Sequence, residues 1–236
     1  MMKMNRKNTI LLTLSCIFVL TELHLSNLIQ TTSPPNKIQY LSVILACLFC
    51  ILFAEKTKSY AFTQLALVFT VFADFFLVYL NNSNRLLAIL CFSVTQIAYF
   101  LRIYFEEENK TLKKVHLFLR ATLSLIILIA TYIVLGENTD ALSLVSMFYY
   151  VNLVLNIVFS FFNFKNSWIF TLGLICFVIC DTFIGLANIG AYIDLNNNPF
   201  LLKLLHPGFN AAWAFYVPSQ MLLAISLLPN KIKKRV

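Results

Sequence analysis

Eight apolar stretches, each long enough to cross a bilayer as a helix, leave this chain few ways to fold. Spanning roughly 30 Å of hydrocarbon takes about 20 apolar residues in helical form. Residues 9–28, 37–54, 60–80, 85–104, 115–135, 141–163, 166–188 and 207–228 fit that length. A membrane barrel needs segments of about 10 residues that alternate in polarity, and these runs are longer and apolar on every face. The chain is 60% hydrophobic and 12% charged, whereas a soluble domain carries about 25% charged residues. The expected fold class is therefore all-α: a polytopic transmembrane helix bundle, with residues 1–236 forming a single transmembrane domain.

The loops orient the bundle. With an even number of spans both termini share one side. That side carries Lys3, Arg6, Lys7, Lys56, Lys58, Arg102, Lys110, Lys113, Lys114, Lys165 and the basic cluster at 231–235. The opposite side carries only Lys37, Arg85 and Lys203. The positive-inside rule then places both termini in the cytoplasm, of a chain expected in the plasma membrane. The net charge of +8 is explained by these loops, whose partners are anionic membrane lipids, with no nucleic acid required. The basic start MMKMNRKN resembles the opening of a signal peptide, but Glu22, Leu23 and His24 stand where small residues would precede cleavage. The first span is read as a retained helix.

Against this apolar background two aspartates stand out: Asp74 in VFTVFADFFLVYL and Asp181 in LICFVICDTFIGLAN. A carboxylate inside a span costs roughly 2.5 to 3.5 kcal/mol even on lenient insertion scales. Helical spacing groups other polar residues with them. Thr63, Thr70, Asp74 and Asn81 form a stripe on the third span, and Tyr149, Asn152, Asn156 and Asn163 another on the sixth. Asp181, Gly185 and Asn188 share a face of the seventh; His206, Phe209, Trp213, Tyr216 and Gln220 share one on the eighth; Ser15, Glu22 and Ser26 share one on the first. Such stripes turn away from lipid. They serve either as hydrogen-bonding glue between helices or as a functional interior. For the aspartates glue is the weaker explanation, because an amide would do the same at lower desolvation cost.

Depth brings the polar groups together. Each aspartate precedes an asparagine by seven residues near the non-cytoplasmic helix end, about 10 Å away at 1.5 Å per residue. Glu22 is shallower, Tyr216 about 13 Å deep, and Gln96 and Asn152 near the midplane. Arg102 and Arg120 lie toward cytoplasmic helix ends, where snorkelling to the headgroups is the expected behaviour. Both are expected to lie too far from Asp74 to hold the headgroup of a lipid reacting there. Arg85, Lys203 and His206, at the mouth nearer the aspartates, are better placed to meet a phosphate, though a solvated loop is their default reading.

Cys16, Cys47, Cys50, Cys91, Cys176 and Cys180 all fall inside spans and read as small apolar fillers, the C-x-x-C of Cys47 and Cys50 included. No disulfide, metal site or cofactor is expected, since the histidines are scattered and no ligand spacing links them. No phosphate loop, G-x-S-x-G or H-E-x-x-H occurs.

These features resemble the YhhN family of eight-helix membrane proteins, whose characterised animal members are lysoplasmalogenases. VFADFFLVYL is similar to the family's third-helix glycine–aspartate motif, and TQIAYF to its fourth-helix alanine–histidine–x–x–tyrosine. ICFVICDTFIGL and FYVPSQMLLAIS resemble its seventh-helix serine–aspartate and its eighth-helix tyrosine-to-glutamine stretch. The resemblance places family polar positions on Asp74, Tyr99, Asp181, Tyr216 and Gln220. Ala73, Gln96 and Cys180 depart from the family's usual glycine, histidine and serine.

What the resemblance implies is hydrolysis of the vinyl ether of a lysoplasmalogen-type lysophospholipid, a single-chain lipid substrate. Protonation at carbon gives an oxocarbenium ion that water captures. Two aspartates suit this chemistry if one keeps its proton and the other stays ionised beside the cation, as at glycosidases. Asp74 and Asp181 are then the catalytic pair, and Gln96, Tyr99, Tyr216, Gln220, Asn152 and Glu22 the binding or orienting residues. The alternative reading is a proton-coupled transporter or lipid-binding protein using the same carboxylates. Only Gly173, Gly185 and Pro218 interrupt the spans where transporters have broken helices.

Overall fold

The computed structural model describes residues 37–55, 57–80, 83–189 and 211–228. Among them seven α-helices form: α1 (Lys37–Phe53), α2 (Lys58–Asp74), α3 (Arg85–Glu106), α4 (Lys110–Leu135), α5 (Ala141–Ser160), α6 (Phe164–Ile189) and α7 (Ala211–Ile225). The predicted second to eighth spans correspond to α1 to α7. The first span, 9–28, with Glu22 on it, lies outside the described residues, as does the start of the eighth.

Short polar residues between the apolar runs start the helices. Thr57 Oγ1 accepts from the Tyr60 amide at 3.3 Å, Asn84 Oδ1 from Leu87 at 3.1 Å, and Asn109 Oδ1 from Thr111 at 2.9 Å. Asp140 and Ser143 close a capping box at the head of α5. The Asn109 cap starts α4 five residues ahead of the predicted 115. The charged first turn, with Lys110, Lys113 and Lys114, hid that start from a hydropathy reading. Gly136 ends α4 at φ 53°, a conformation that favours glycine.

Five helical stretches are long and apolar enough to cross a membrane: Lys58–Tyr79, Arg85–Glu106, Lys110–Asn138, Ala141–Asn163 and Ser167–Asn188. The apolar parts of α1 and α7 are shorter. Sheet structure is absent among the described residues. The chain is an all-α helical membrane bundle.

Packing pairs α2 with α3 and α6 with α7, and α5 touches α3, α4 and α6. Helix α1 lies against α2 and α7. Small residues allow close approach where pairing is tightest. A Cβ on Gly173 of α6 would stand 2.9 Å from Leu223 Cγ of α7. Thr95 Oγ1 reaches across from α3 to the Ala66 carbonyl of α2 at 3.1 Å. The bundle is polar inside and greasy outside. Thr63, Thr70, Asn156, Gln96 and Ser219 are fully buried, while Leu52, Phe118, Ile133 and Val134 are exposed.

Helix α2 does not run regularly to its end. A π-helical turn, Phe75–Tyr79, follows Asp74 directly. Such widened turns recur beside functional groups because they re-aim the adjacent side chain. Ser167, at φ −134°, kinks α6 near its start, and Pro218 interrupts the hydrogen bonding of α7 between Tyr216 and Gln220.

The arginines behave differently from the snorkelling expectation. Arg102 is 2% exposed and points into the bundle, where Nη1 donates to Thr63 at 3.0 Å and Ser226 at 2.8 Å. Its Nε pairs with Glu106 at 3.4 Å, and its guanidinium covers the Phe170 ring at 3.9 Å. Arg120 also turns inward, to Asn152 and Asn156. Hydrogen-bond acceptors on neighbouring helices outweigh the attraction of the headgroups in both cases. The seventh-span face is corrected as well: Gly185 and Asn188 are exposed, and Asn188 Nδ2 bonds its own helix at the Ile184 carbonyl, 2.8 Å away. Asn81, Lys203, His206 and Phe209 fall outside the described residues.

Candidate functional site: two aspartate–tyrosine pairs

Asp74 and Asp181 each receive a tyrosine hydroxyl from another helix. Tyr216 of α7 donates to Asp74 Oδ2 at 2.6 Å. Tyr149 of α5 donates to Asp181 Oδ2. Asp74 is 3% exposed, whereas Asp181 is half-buried. The two carboxyl groups lie within electrostatic range of one another, and Cys180 lies within range of both. Among the described residues neither aspartate forms an ion pair with an arginine; the ion pair found there joins Arg102 and Glu106.

A row of aromatic rings joins the pairs. Tyr149 packs on Phe92 at 5.7 Å, Phe92 meets Phe177 edge-on at 6.0 Å, and Phe177 meets Tyr216 at 5.7 Å. Trp213 stands edge-on to Tyr216 at 5.3 Å. These contacts hold each tyrosine ring in place, so its hydroxyl has one direction to point. Toward the π turn, Tyr40 packs on Phe75 at 6.4 Å and Tyr79 at 5.9 Å, and lies within electrostatic range of Asp74.

One turn beyond Tyr216 on the same face of α7, Gln220 is fully buried, and among the described residues neither its Oε1 nor its Nε2 has a hydrogen-bond partner. Tyr99 is also fully buried with its hydroxyl unpartnered, its ring edge-on to Phe170 at 5.6 Å. Unpaired buried polar groups are costly and rare, and they mark places suited to water or a bound polar group.

Gln96 and Asn152 belong elsewhere. Asn156 Nδ2 donates to the Gln96 carbonyl at 2.9 Å and to its Oε1 at 3.0 Å. Asn152 and Asn156 present their oxygens to Arg120. Asn152 Nδ2 bonds the Phe148 carbonyl at 2.7 Å. These residues form a second polar cluster, a turn or two along α5 from Tyr149. Of the expected site residues, the structure therefore brings Asp74, Tyr216 and Gln220 onto two facing helices and sets Asp181 nearby. It separates Gln96 and Asn152 from them, and Glu22 lies outside the described residues.

Two members escaped the sequence reading as site residues. Tyr149 heads the α5 stripe, three residues before Asn152 and seven before Asn156, which was the available signal. His116 has no such signal: it is buried in α4, stacked on Phe159 at 3.7 Å. No cluster of histidine, cysteine and acidic residues with metal-binding geometry occurs among the described residues. Cys47, Cys50, Cys91, Cys176 and Cys180 are free thiols.

Fold and site together define a helical integral membrane protein with two aspartates among its helices, each bonded to a tyrosine of another helix. The chain belongs to the YhhN family, whose sequence profile matches residues 37–227. Neither a curated protein nor a solved structure shows significant similarity to it.

Proposed function

We propose that this protein is a membrane-embedded hydrolase that cleaves the vinyl ether bond of lysoplasmalogen-type lysophospholipids. The carrying observation is that two inward carboxylates, each held by a tyrosine from another helix, lie within electrostatic range of one another. One carboxylic acid delivers a proton to the vinyl carbon, and the ether oxygen stabilises the resulting oxocarbenium ion. The second, ionised carboxylate faces that cation. Water adds to the oxocarbenium carbon and gives up a proton to a carboxylate, and the hemiacetal collapses to a fatty aldehyde and a glycerophospho-alcohol. Like charges within range of one another do not both ionise readily, which favours one aspartate keeping its proton while the other is ionised.

The tyrosines hold the carboxylate oxygens in register, and the unpartnered amide of Gln220 suits the placement of the attacking water. A single-chain lipid enters from the bilayer with its tail among apolar side chains. In this reading the bundle has eight spans with both termini cytoplasmic and resides in the plasma membrane. The test is aldehyde release from lysoplasmalogen by the purified protein and by Asp74→Asn and Asp181→Asn. Equal turnover by all three proteins would exclude the paired-carboxylate mechanism.

A second reading draws on the π turn after Asp74 and on Pro218, which break helices at the site as in many carriers. Proton-gradient-dependent uptake into proteoliposomes without aldehyde formation would select it.

A further inference from the structure

Two arginines turn their guanidinium groups into the bundle, Arg102 fully buried and Arg120 half-buried, and they are compensated differently. Arg102 has the Glu106 carboxylate at 3.4 Å. Arg120 has neutral partners: Nη1 donates to Asn152 Oδ1, Nη2 donates to Asn156 Oδ1 at 2.6 Å, and Nη2 lies 3.1 Å from His116 Nε2. A guanidinium can only donate, so His116 Nε2 is the acceptor and the ring's proton sits on Nδ1. Among the described residues no carboxylate lies within ion-pair distance of Arg120. Its remaining neighbour is the face of Phe100, 4.4 Å away. A cation surrounded by dipoles and rings in a low-dielectric interior is incompletely compensated.

The same cluster holds two unspent donors. Arg120 Nε is buried without a partner among the described residues, and so is Gln96 Nε2. Asn156 settles which way the Gln96 amide points. Its own Oδ1 is taken by Arg120, so its Nδ2 donates to Gln96 Oε1, leaving the Gln96 nitrogen as the free end. Gln96 is 0% exposed, so bulk water does not satisfy that nitrogen. One uncompensated positive charge and two idle N–H donors call for an anionic group with several oxygens.

We propose that Arg120, with Gln96 and framed by Asn152, Asn156 and His116, is a binding site for the phosphate of a phosphate-ester ligand. Arg120 and Gln96 donate to the phosphate oxygens, while the asparagines and His116 fix the guanidinium plane. Under the hydrolase reading, on which this assignment of the ligand rests, the phosphate is that of the substrate's own headgroup. Tyr149, whose hydroxyl holds Asp181 of α6, lies a turn or two along α5, about 5 to 10 Å from the Asn152–Asn156 layer, a separation a glycerol backbone can bridge. Anchoring the phosphate at Arg120 then sets the sn-1 ether at the aspartates. Inorganic phosphate shares the recognising chemistry.

The test measures equilibrium binding to the purified full chain in neutral detergent. The probes are a saturated alkyl-ether lysophospholipid, which has no vinyl ether to cleave, the matching alkylglycerol without phosphate, and inorganic phosphate. Wild type is expected to bind the lysophospholipid about tenfold or more tighter than the alkylglycerol. Arg120→Gln abolishes that preference and leaves alkylglycerol binding unchanged. Should Arg120→Gln fail to fold, Gln96→Met, which keeps the side-chain volume and removes the idle donor, is expected to weaken the preference several-fold. Arg120-dependent binding of inorganic phosphate with no preference for the lysophospholipid assigns the site to the free anion. No phosphate preference in wild type, or an undiminished one in folded Arg120→Gln, overturns the proposal. A wild type that turns over the vinyl ether but shows no phosphate preference removes this site alone; a wild type that shows the Arg120-dependent preference without turnover removes the hydrolase reading alone.

Discussion

Tyr216 and Asp74 stand 142 positions apart in the chain and meet at 2.6 Å in the middle of the bundle, hydroxyl to carboxylate. The contact spans α7 and α2, so it exists only when the bundle is assembled. It turns a buried carboxyl group, costly by itself, into one held at a fixed angle beside Asp181.

Replacing either aspartate by asparagine keeps the shape and removes both the transferable proton and the charge. Aldehyde release from lysoplasmalogen is expected to fall at least a hundredfold in Asp74→Asn and in Asp181→Asn, about the range of acid–base contributions. Detergent-solubilised helicity and thermal stability stay at or above wild type, because a buried amide costs less than a buried carboxyl group.

Tyr216→Phe and Tyr149→Phe each delete one hydroxyl and retain the ring packing on Phe177 or Phe92. A hydrogen bond to a carboxylate is worth about 1.5 to 3 kcal/mol, or roughly 10- to 150-fold in rate if it matters equally at the transition state. The expected loss of rate falls in that range, and the melting temperature drops by several degrees as the carboxyl group loses its partner. Turnover unchanged in both variants would limit the tyrosines to a packing role.

One carboxylic acid and one carboxylate must coexist during the reaction. Activity is therefore expected to fall on both sides of an optimum: at low pH the ionised partner gains a proton, and at high pH the acid loses its own. A rate that rises or falls monotonically across the accessible range counts against this division of roles.

Gly173 lets α6 and α7 approach closely, with a Cβ placed there only 2.9 Å from Leu223 Cγ. Gly173→Val is expected to destabilise the bundle by about 1 to 3 kcal/mol through overpacking. Melting in detergent should drop accordingly, and Leu223→Ala in the same chain should restore part of it. An unshifted melting temperature would mean that the α6–α7 contact yields without cost.

Much of the architecture was readable from local pattern. The third to seventh spans became α2 to α6 with ends shifted by a few residues, because hydrocarbon thickness imposes helix length and small polar residues impose the caps. The stripe of Tyr149, Asn152 and Asn156 also turned inward as its spacing required. Spacing by itself misread Asn188, which turned out to satisfy its own helix and face outward. A seven-residue interval repeats a helix face only approximately, and its orientation toward the bundle weakens at the helix end.

The arginines mark the boundary of what pattern can say. Position along a helix suggested that Arg102 and Arg120 would reach for the headgroups, yet Thr63, Ser226, Asn152 and Asn156 drew them inside. Those acceptors come from other helices, and nothing local to either arginine announces them.

The sequence by itself determined a membrane bundle with two aspartates inside its apolar helices, since apolar length, charge in the loops and helical period are properties of each segment alone. Only the tertiary structure decided that Asp74 pairs with Tyr216 and Asp181 with Tyr149, and that Gln96 and Asn152 serve Arg120 instead. Which helix faces which neighbour depends on packing among all of them, and a hydrogen bond across two helices depends on that choice to within a fraction of an ångström.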